Sequence, residues 1–559
     1  MTRPASWLFV DAAVHRPGAR PADALAVVDG VIAALGADAL ALRGPDTTVV
    51  DLRGGSLLPA FRDGHLHPLA GGTETLDCDL VDSVDIDDVL ERLAAHVAAD
   101  PRNSTDWVLG YGYPPEILPG GVGRAAVLDQ VIGTRPVALW SSDHHMVWCN
   151  TAALTRAGIT AATPQPARGT IVHDADGQPV GTLLEEAERL LEAHLPARDE
   201  AKEARGFEVG LARMARAGLV FGQDAWTQPE RLAAYERVAD AGRLSADVDL
   251  AFKVEPDRWR EQLADFVAAR EQAAAGRERR TRDGVPGGRL SATTVKFFVD
   301  GVIEGGTAQL LDPYEPGWGA GHVDAGCGHD HGIANWDHDA FVEAAAACDA
   351  AGFQLHCHAI GDGAIRRTLD VVEQVAARNG PRDRRATIAH THLVHPDDLR
   401  RFAALGVIAN LEPLWAQRNA IMTELTEPRL GPERARWQYP IRSLLEAGAR
   451  VSFGSDWPVS SHEPLHGIAV AVHRRDEHGQ PPDGWLPHER IGLDAAVHAY
   501  TAGTAFQAGE EADRGAIEVG QRADLVALDA DLTTTPVGDI AEVAVSGTWR
   551  AGVRVHGPV

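Results

Sequence analysis

Apolar residues in this chain follow two rhythms: short runs closed by turn signals near both ends, and an alternation of helical and strand-like stretches between them. Near the start, Ala24-Leu25-Ala26-Val27-Val28 runs into Asp29-Gly30, and Val31-Ile32-Ala33-Ala34-Leu35 follows before Gly36. Strand, tight Asp-Gly turn and strand is the economical prediction. Near the end, Asp524-Leu525-Val526-Ala527-Leu528-Asp529 reads as a short buried strand, and Glu542-Val543-Ala544-Val545-Ser546-Gly547 leads to a turn and a last apolar run. Neither end has enough strands to close a unit alone, and an open edge is an association hazard. Pairing the ends predicts one small β-sandwich domain from residues 1–56 and 505–559.

Between them, helical stretches such as Phe341-Val342-Glu343-Ala344-Ala345-Ala346-Ala347-Cys348 alternate with buried strands such as Gly352-Phe353-Gln354-Leu355-His356-Cys357-His358. That βα rhythm predicts an α/β fold, a (β/α)8 TIM barrel. Such a barrel needs about 250 residues, whereas the stretch 57–504 is much longer, so a large insertion is expected at about 76–195. It contains the strand-like Trp107–Gly112 and Arg135–Trp140 and ends in Leu183–Leu190, read as helical. The basic tract Arg277–Arg282 reads as a solvated surface loop. No internal repeat is visible.

Composition narrows the function. The 559 residues are 45% apolar, enough to bury the cores of several compact units. A formal charge of −28 repels phosphate backbones and anionic lipid heads alike, which argues against nucleic acid and membrane as partners. No apolar segment has the length of a signal peptide core or a membrane span. The five cysteines form no CxxC pair, as in a chain kept in a reducing compartment, so a cytoplasmic location is expected.

The candidate chemistry sits at strand ends. His65-Leu66-His67 follows the apolar run Leu57–Phe61, and side chains two apart on a strand face the same way, so both imidazoles can address one metal ion. An isolated HxH is common, but His358 and His390 also end short apolar strands, and Asp456 closes Val451–Ser455. Catalytic groups of such barrels lie at the C-terminal ends of the strands. Lys296, in the apolar run Thr294–Val299, is costly to bury unless it is paired or chemically changed. A salt bridge to Asp300 and a role at a metal both answer that cost. Two other histidine clusters carry less. In His462-Glu463-Pro464-Leu465-His466 the proline interrupts the helix that an HExxH zinc motif requires. Glycine-rich flanks make His329-Asp330-His331 with Cys327 a mobile loop before a metal site.

In the order HxH, Lys, His, His, Asp, the chain resembles the amidohydrolase superfamily, and more narrowly amidohydrolase family 3, the YtcJ-like branch. The resemblance rests on Phe61–Pro68, Val295–Gly301, His358-Ala359-Ile360-Gly361-Asp362, Gly454-Ser455-Asp456-Trp457-Pro458, Ala499-Tyr500-Thr501 and Gly515–Leu525, and so spans nearly the whole chain. It implies one or two divalent metal ions, most often zinc, with His65, His67 and Asp456 on one and His358 and His390 on the other. Lys296, carboxylated by carbon dioxide, would bridge them, a change that turns a cation into an anionic oxygen donor. The implied activity is hydrolysis of a C–N bond in a small amide, formamide, cyclic amide or carbamate by metal-activated water, with Asp456 as general base.

Candidate substrate contacts are His145, in a segment similar to one that reaches over the barrel mouth, and Asp300, Glu304, His392 and Trp415. Where many relatives read Glu-His-Ala-Gln, this chain has Ala389-His390-Thr391-His392, and where relatives often have Gln-Pro it has Glu412-Pro413. With Glu304, these departures suggest a polar or partly cationic small-molecule substrate. Two other readings stay open at this point: a metal-dependent isomerase, decarboxylase or acyl transferase, and a catalytically silent ligand-binding barrel. A homodimer is the default expectation for a soluble enzyme.

Overall fold

The computed structural model describes residues 3–19, 21–99, 107–166, 168–316 and 330–558. Cys327 and His329, two members of the glycine-flanked cluster, lie outside the described residues.

Eight parallel strands form the central sheet. In chain order they are β1 (Phe61–Leu66), β2 (Leu219–Thr227), β3 (Asp247–Lys253), β4 (Leu290–Phe298), β5 (Gln354–Ala359), β6 (Thr387–His390), β7 (Ile408–Leu411) and β8 (Arg450–Phe453). Each pairs with its neighbours in sequence order, from β1 round to β8. The seam between β8 and β1 is closed just past the end of β8. There Asp456 N–H donates to His65 O at 2.7 Å and His67 N–H donates to Trp457 O at 2.7 Å. Gly454 permits this approach, because a Cβ there would stand 2.8 Å from the Cβ of His65.

Helices cover the barrel. The short helix Pro68–Glu74, directly after His67, packs backbone to backbone on Glu200–Arg216. A Cβ on Gly72 would lie 1.8 Å from Gly206 O, and one on Gly210 would lie 2.1 Å from Pro68 O. The tract Arg277–Arg282 is not a loop: it ends the helix Trp259–Arg282. Arginine is a good helix former, a cationic last turn complements the helix dipole, and Arg279 and Arg280 both pair with Asp240 at 2.8 Å.

Between β1 and β2 the chain builds a second sheet of six strands, in the order Gly169–His173, Pro179–Glu185, Met146–Cys149, Val137–Ser141, Val108–Tyr113 and Cys78–Asp79. Leu183 and Leu184, expected to open a helix, instead end the strand Pro179–Glu185, which pairs with Met146–Trp148. Apolar pairs such as Leu183-Leu184 fit either period, and the distant strand decides. The chain ends build two further sheets, of which the second is shared by both. One joins Trp7–Val10, Leu25–Val28, Val31–Leu35 and Thr48–Asp51. The other joins Ala13–Val14 and Ser56–Pro59 to Leu525–Leu528, Val545–Arg550 and Val553–His556. Asp29 and Gly30 both take positive φ at the predicted hairpin turn. Ser56–Pro59 therefore belongs to the terminal sheet, and the barrel begins at Phe61.

Candidate metal centre and active site

At the C-terminal rim of the barrel, β1 carries His65 and leads directly into His67, and both imidazoles reach Asp456. His67 Nε2 lies 2.9 Å from Asp456 Oδ1, while its Nδ1 faces Asp224 Oδ1 at 3.8 Å. Asp224, inside β2, is itself held by the Tyr235 hydroxyl at 2.5 Å. His65 Nε2 lies 3.3 Å from the same Asp456 oxygen and 3.3 Å from Lys296 Nζ, and its Nδ1 shares a 2.8 Å hydrogen bond with His356 Nε2. On β6, His390 Nδ1 meets Glu412 Oε2 at 3.1 Å, and the Trp415 ring stacks on it at 5.5 Å and 3°. Two imidazoles are thus fixed from outside, His390 by a carboxylate and His65 by a further histidine, the usual way of orienting metal-binding rings, while the Asp224 carboxylate faces the third without a hydrogen bond.

The backbone is strained where it presents two of these groups. His390 has φ +72° and Asp456 φ +54°, in the left-handed region that costs a non-glycine residue about 1–3 kcal/mol. Asp63 helps to hold that geometry, since its Oδ1 accepts the N–H groups of both His65 (3.0 Å) and Ser455 (3.1 Å). Burial raises the Asp63 carboxyl to about 7, against the hydrogen bonds that lower it.

The electrostatics divide the site. Burial works against the Asp456 carboxylate, but the facing imidazoles of His65 and His67 outweigh it and hold the group well below the usual carboxylate range. His67 is raised to about 9, because Asp224 and Asp456 overcome the penalty of burial. His65 and His358 are held well below the ordinary histidine value by burial, with Lys296 and His390 adding to the effect. Lys296 is fully buried on β4 and burial lowers its ammonium to about 8, despite Asp456 and Glu412 nearby. No salt bridge to Asp300 is present among the described contacts. The Asp300 oxygens instead accept the N–H groups of Ile360 (3.1 Å), Gly361 (2.8 Å) and Gln309 (2.9 Å).

His65, His67, Lys296, His358, His390 and Asp456 all line one cavity of about 1530 Å³, between the barrel rim and the inserted sheet. Donor atoms of His65, His390 and Asp456 lie within 4.8 Å of one another, a buried group that could hold a metal ion. This trio cuts across the two ligand sets that the resemblance implied. His358 lies beside the trio, its ring edge-on to that of His390 at 4.5 Å, while its Nε2 is 3.2 Å from Gly301 O and 3.5 Å from Asp300 Oδ1, and Phe298 stacks on its ring at 5.2 Å. Imidazole and carboxylate donors with anchored outer nitrogens fit a divalent ion.

The candidate substrate contacts also reach this cavity, in different ways. His145 comes from the inserted sheet, bonds Glu185 through Nδ1 at 2.9 Å and places its ring 5.7 Å from that of His358. Burial lowers its proton affinity, but the Glu185 carboxylate outweighs it and raises His145 to about 10. Glu304 is raised to about 7 by burial, with Asp143 adding repulsion. His392 is tied into a polar network, with Gln438 Oε1 at 2.7 Å and the Tyr439 hydroxyl at 3.2 Å, and Trp415 covers His390. Of the remaining histidines, His331 bonds Leu310 O at 3.2 Å, and Pro464 begins the helix Pro464–His473, leaving His462 outside it.

Sequence reasoning missed His356 and Asp224, which face His65 and His67. His356-Cys357-His358 repeats the HxH spacing of β1, a signal that could have found the first. Asp224 had only its place inside a strand. Lys253 was missed as well: it ends β3, pairs with Glu255 at 3.3 Å and lies over the Trp226 ring at 4.6 Å.

The amidohydrolase family profile matches residues 48–556. The chain is 28% identical to the protein LONG AFTER FAR-RED 3 of Arabidopsis thaliana, over 96% of this chain and 88% of that protein. It is 27% identical to the N-substituted formamide deformylase of Arthrobacter pascens, over 99% of this chain and 98% of that one. An uncharacterized metal-dependent hydrolase of Pyrococcus horikoshii shares the fold, with a TM-score of 0.70 at 21% identity, over 95% of this chain and 99% of that chain.

Proposed function

This chain belongs to the amidohydrolase family, and from that premise we propose that it hydrolyses a C–N bond of a small amide, formamide, cyclic amide or carbamate at the centre around Asp456. One observation carries the reading: His65 and His67 converge on a single oxygen of Asp456, beside His390 and Lys296, at the floor of a cavity large enough for a substrate. The end-to-end similarity to a formamide deformylase supports formamides among these bonds.

His65, His390 and Asp456, with His67, His358 and Lys296 beside them, would hold one or two divalent ions, and zinc suits such donors. When bound, the metal acidifies water and draws electron density from the substrate carbonyl. Asp456, fixed by His67 at 2.9 Å, takes the proton of the attacking water and returns it to the leaving nitrogen. His145, kept protonated by Glu185, offers an N–H to the charge that develops on the carbonyl oxygen. With its ammonium lowered to about 8, Lys296 has a share of free amine near neutrality. That amine can attack carbon dioxide, forming an N–C bond and losing a proton to solvent, which leaves an anionic carbamate.

The test pairs metal analysis of the isolated protein with a screen of N-formyl and N-acyl compounds. Bound zinc and turnover are expected, and Asp456→Asn should lower kcat by about 10²–10⁴-fold with the circular dichroism unchanged. Protein free of metal when isolated from zinc-replete cells, or an Asp456→Asn variant within tenfold of wild type, would overturn the reading. A ¹³C carbamate signal absent from Lys296→Ala checks the carboxylation.

A further inference from the structure

The cavity has a second wall, built chiefly from the inserted sheet, whose residues the hydrolytic reading does not use. Trp140 and Tyr111 are register partners on adjacent parallel strands of the inserted sheet, so their side chains share one face. Their rings stack at 5.0 Å and 14°. Buried apolar residues, Val108 and Leu139 among them, pack the opposite face, which leaves the stacked pair half-buried against the cavity.

Two carboxylates flank the rings. Glu188 Oε2 accepts the Trp140 indole N–H at 3.2 Å. A carboxylate on that hydrogen makes the indole face more electron-rich, which strengthens its attraction for a cation. Glu74, whose charge bears on Tyr111, lies 3.5 Å from His144, and the His144 ring lies 6.3 Å from that of Tyr111. Burial raises both Glu74 and Glu188, an effect that the nearby cations, His144, His67 and Arg231 for Glu74 and Lys253 and His144 for Glu188, offset only in part, so an added cation would stabilise both carboxylates. Along the whole cavity lining, acidic residues outnumber lysine and arginine, in a chain of net charge −28. The cavity, at about 1530 Å³, also exceeds the roughly 300–1,000 Å³ of ordinary small-ligand sites. The hydrolysed bond needs only the floor.

We propose that the Tyr111–Trp140 shelf with Glu188 and Glu74 is a cation-binding subsite, and that it receives an ammonium or amidinium group at the far end of an elongated substrate. That the ligand is a substrate rests on the hydrolase reading. The subsite itself does not, and the two fail separately. An aromatic face and a carboxylate edge suit a flat, weakly hydrated cation better than a neutral group of equal shape.

Benzamidine and its neutral isostere benzamide are the probes, titrated by calorimetry into the metal-loaded full-length protein. Benzamidine is expected to bind at least tenfold more tightly. Trp140→Leu and Tyr111→Leu should each erase about tenfold of that preference and Glu188→Gln about fivefold, with melting temperatures confirming that each variant is folded. Equal binding of the two probes to the wild type overturns the proposal, and so does a preference that survives in Glu188→Gln and in whichever aromatic variants fold. With formamides that differ only in a distal amine or its neutral counterpart, the ratio of KM values should collapse toward one in the same variants. Probe selectivity without turnover of any C–N substrate would leave the subsite standing and remove the hydrolase reading.

Discussion

Glu412→Gln tests how the protein tunes the centre, because it changes one charge and almost no volume. Glu412 has no exposed surface, and its Oε2 accepts from His390 Nδ1 at 3.1 Å. Its Oε1 has no hydrogen-bond partner, and burial raises the carboxyl. In the metal-free protein this carboxylate carries a desolvation cost that the amide would not. Toward a metal held by His390 the balance reverses, since a carboxylate on Nδ1–H makes Nε2 a better donor. A hydrogen bond to a charged group contributes about 1.5–3 kcal/mol against about 0.5–1.5 for a neutral one, a difference near 1 kcal/mol. Outer-partner changes typically lower metal affinity by about 10–100-fold. The two estimates meet at about tenfold, or ~1.4 kcal/mol.

Chelator competition measures that affinity, and the thermal melt of metal-free protein measures the cost side. Affinity should fall about tenfold in Glu412→Gln while the metal-free melting temperature holds or rises. Glu412→Ala, which leaves Nδ1 without an acceptor, should fall toward the hundredfold end. Affinity within twofold of wild type in Glu412→Gln would refute the reasoning, because the His390–Glu412 bond would then be packing only.

Gly72→Ala sets a methyl group where only 1.8 Å separates the built Cβ from Gly206 O, so it should cost about 1–3 kcal/mol in urea unfolding. Because the displaced helix begins one residue after His67, chelator competition should show weaker metal binding as well, and unchanged stability would contradict the packing. His145 tests the docking of the inserted sheet by pH. Raised to about 10 chiefly by Glu185 against burial, with Asp143 and Glu304 adding and the His358 ring facing it, its contribution is complete below pH 6.5. It is then lost as pH rises through about 10, so the stability advantage of wild type over Glu185→Gln should shrink across that window, and a flat difference in urea midpoints would be the contrary result.

How much of this was legible in the sequence depended on whether a signal was local. His65, His67, Lys296, His358, His390 and Asp456 each sit at or near the end of a short apolar run, and a parallel barrel carries such ends to one rim. Their outer partners are set by which strands face one another across the barrel, and no local pattern contains that. His356 meets a residue 291 positions away, and Asp224 comes into range of His67 only when β2 pairs with β1. Lys296 shows the same limit. Asp300 was the plausible local partner, yet the loops after β4 and β5 supply three N–H groups that occupy it, and the ammonium turns to His65. The helix Trp259–Arg282 was misread in part because a run of arginines looks solvated until Asp240 is placed beside it.

The two ends of the barrel differ in how their buried charges are partnered. At the base, Arg514 has side-chain exposure of only 1%, yet it meets Asp524 at 2.6 Å and Asp247 at 3.1 Å. Asp247 also meets Arg289 and Arg550, and Glu510 pairs with both Arg62 and Arg289. Every arginine there meets at least one carboxylate, the arrangement under which burial is tolerable. At the rim, the Asp456 oxygen serves two imidazoles at once, and a lysine and a third histidine crowd the same space. Such a cluster has more donors than one carboxylate can satisfy, and a divalent ion with a coordinating anion would relieve it. The polar excess that would make this end a poor base for the barrel suits it, under the proposed reading, to bind metal and move protons.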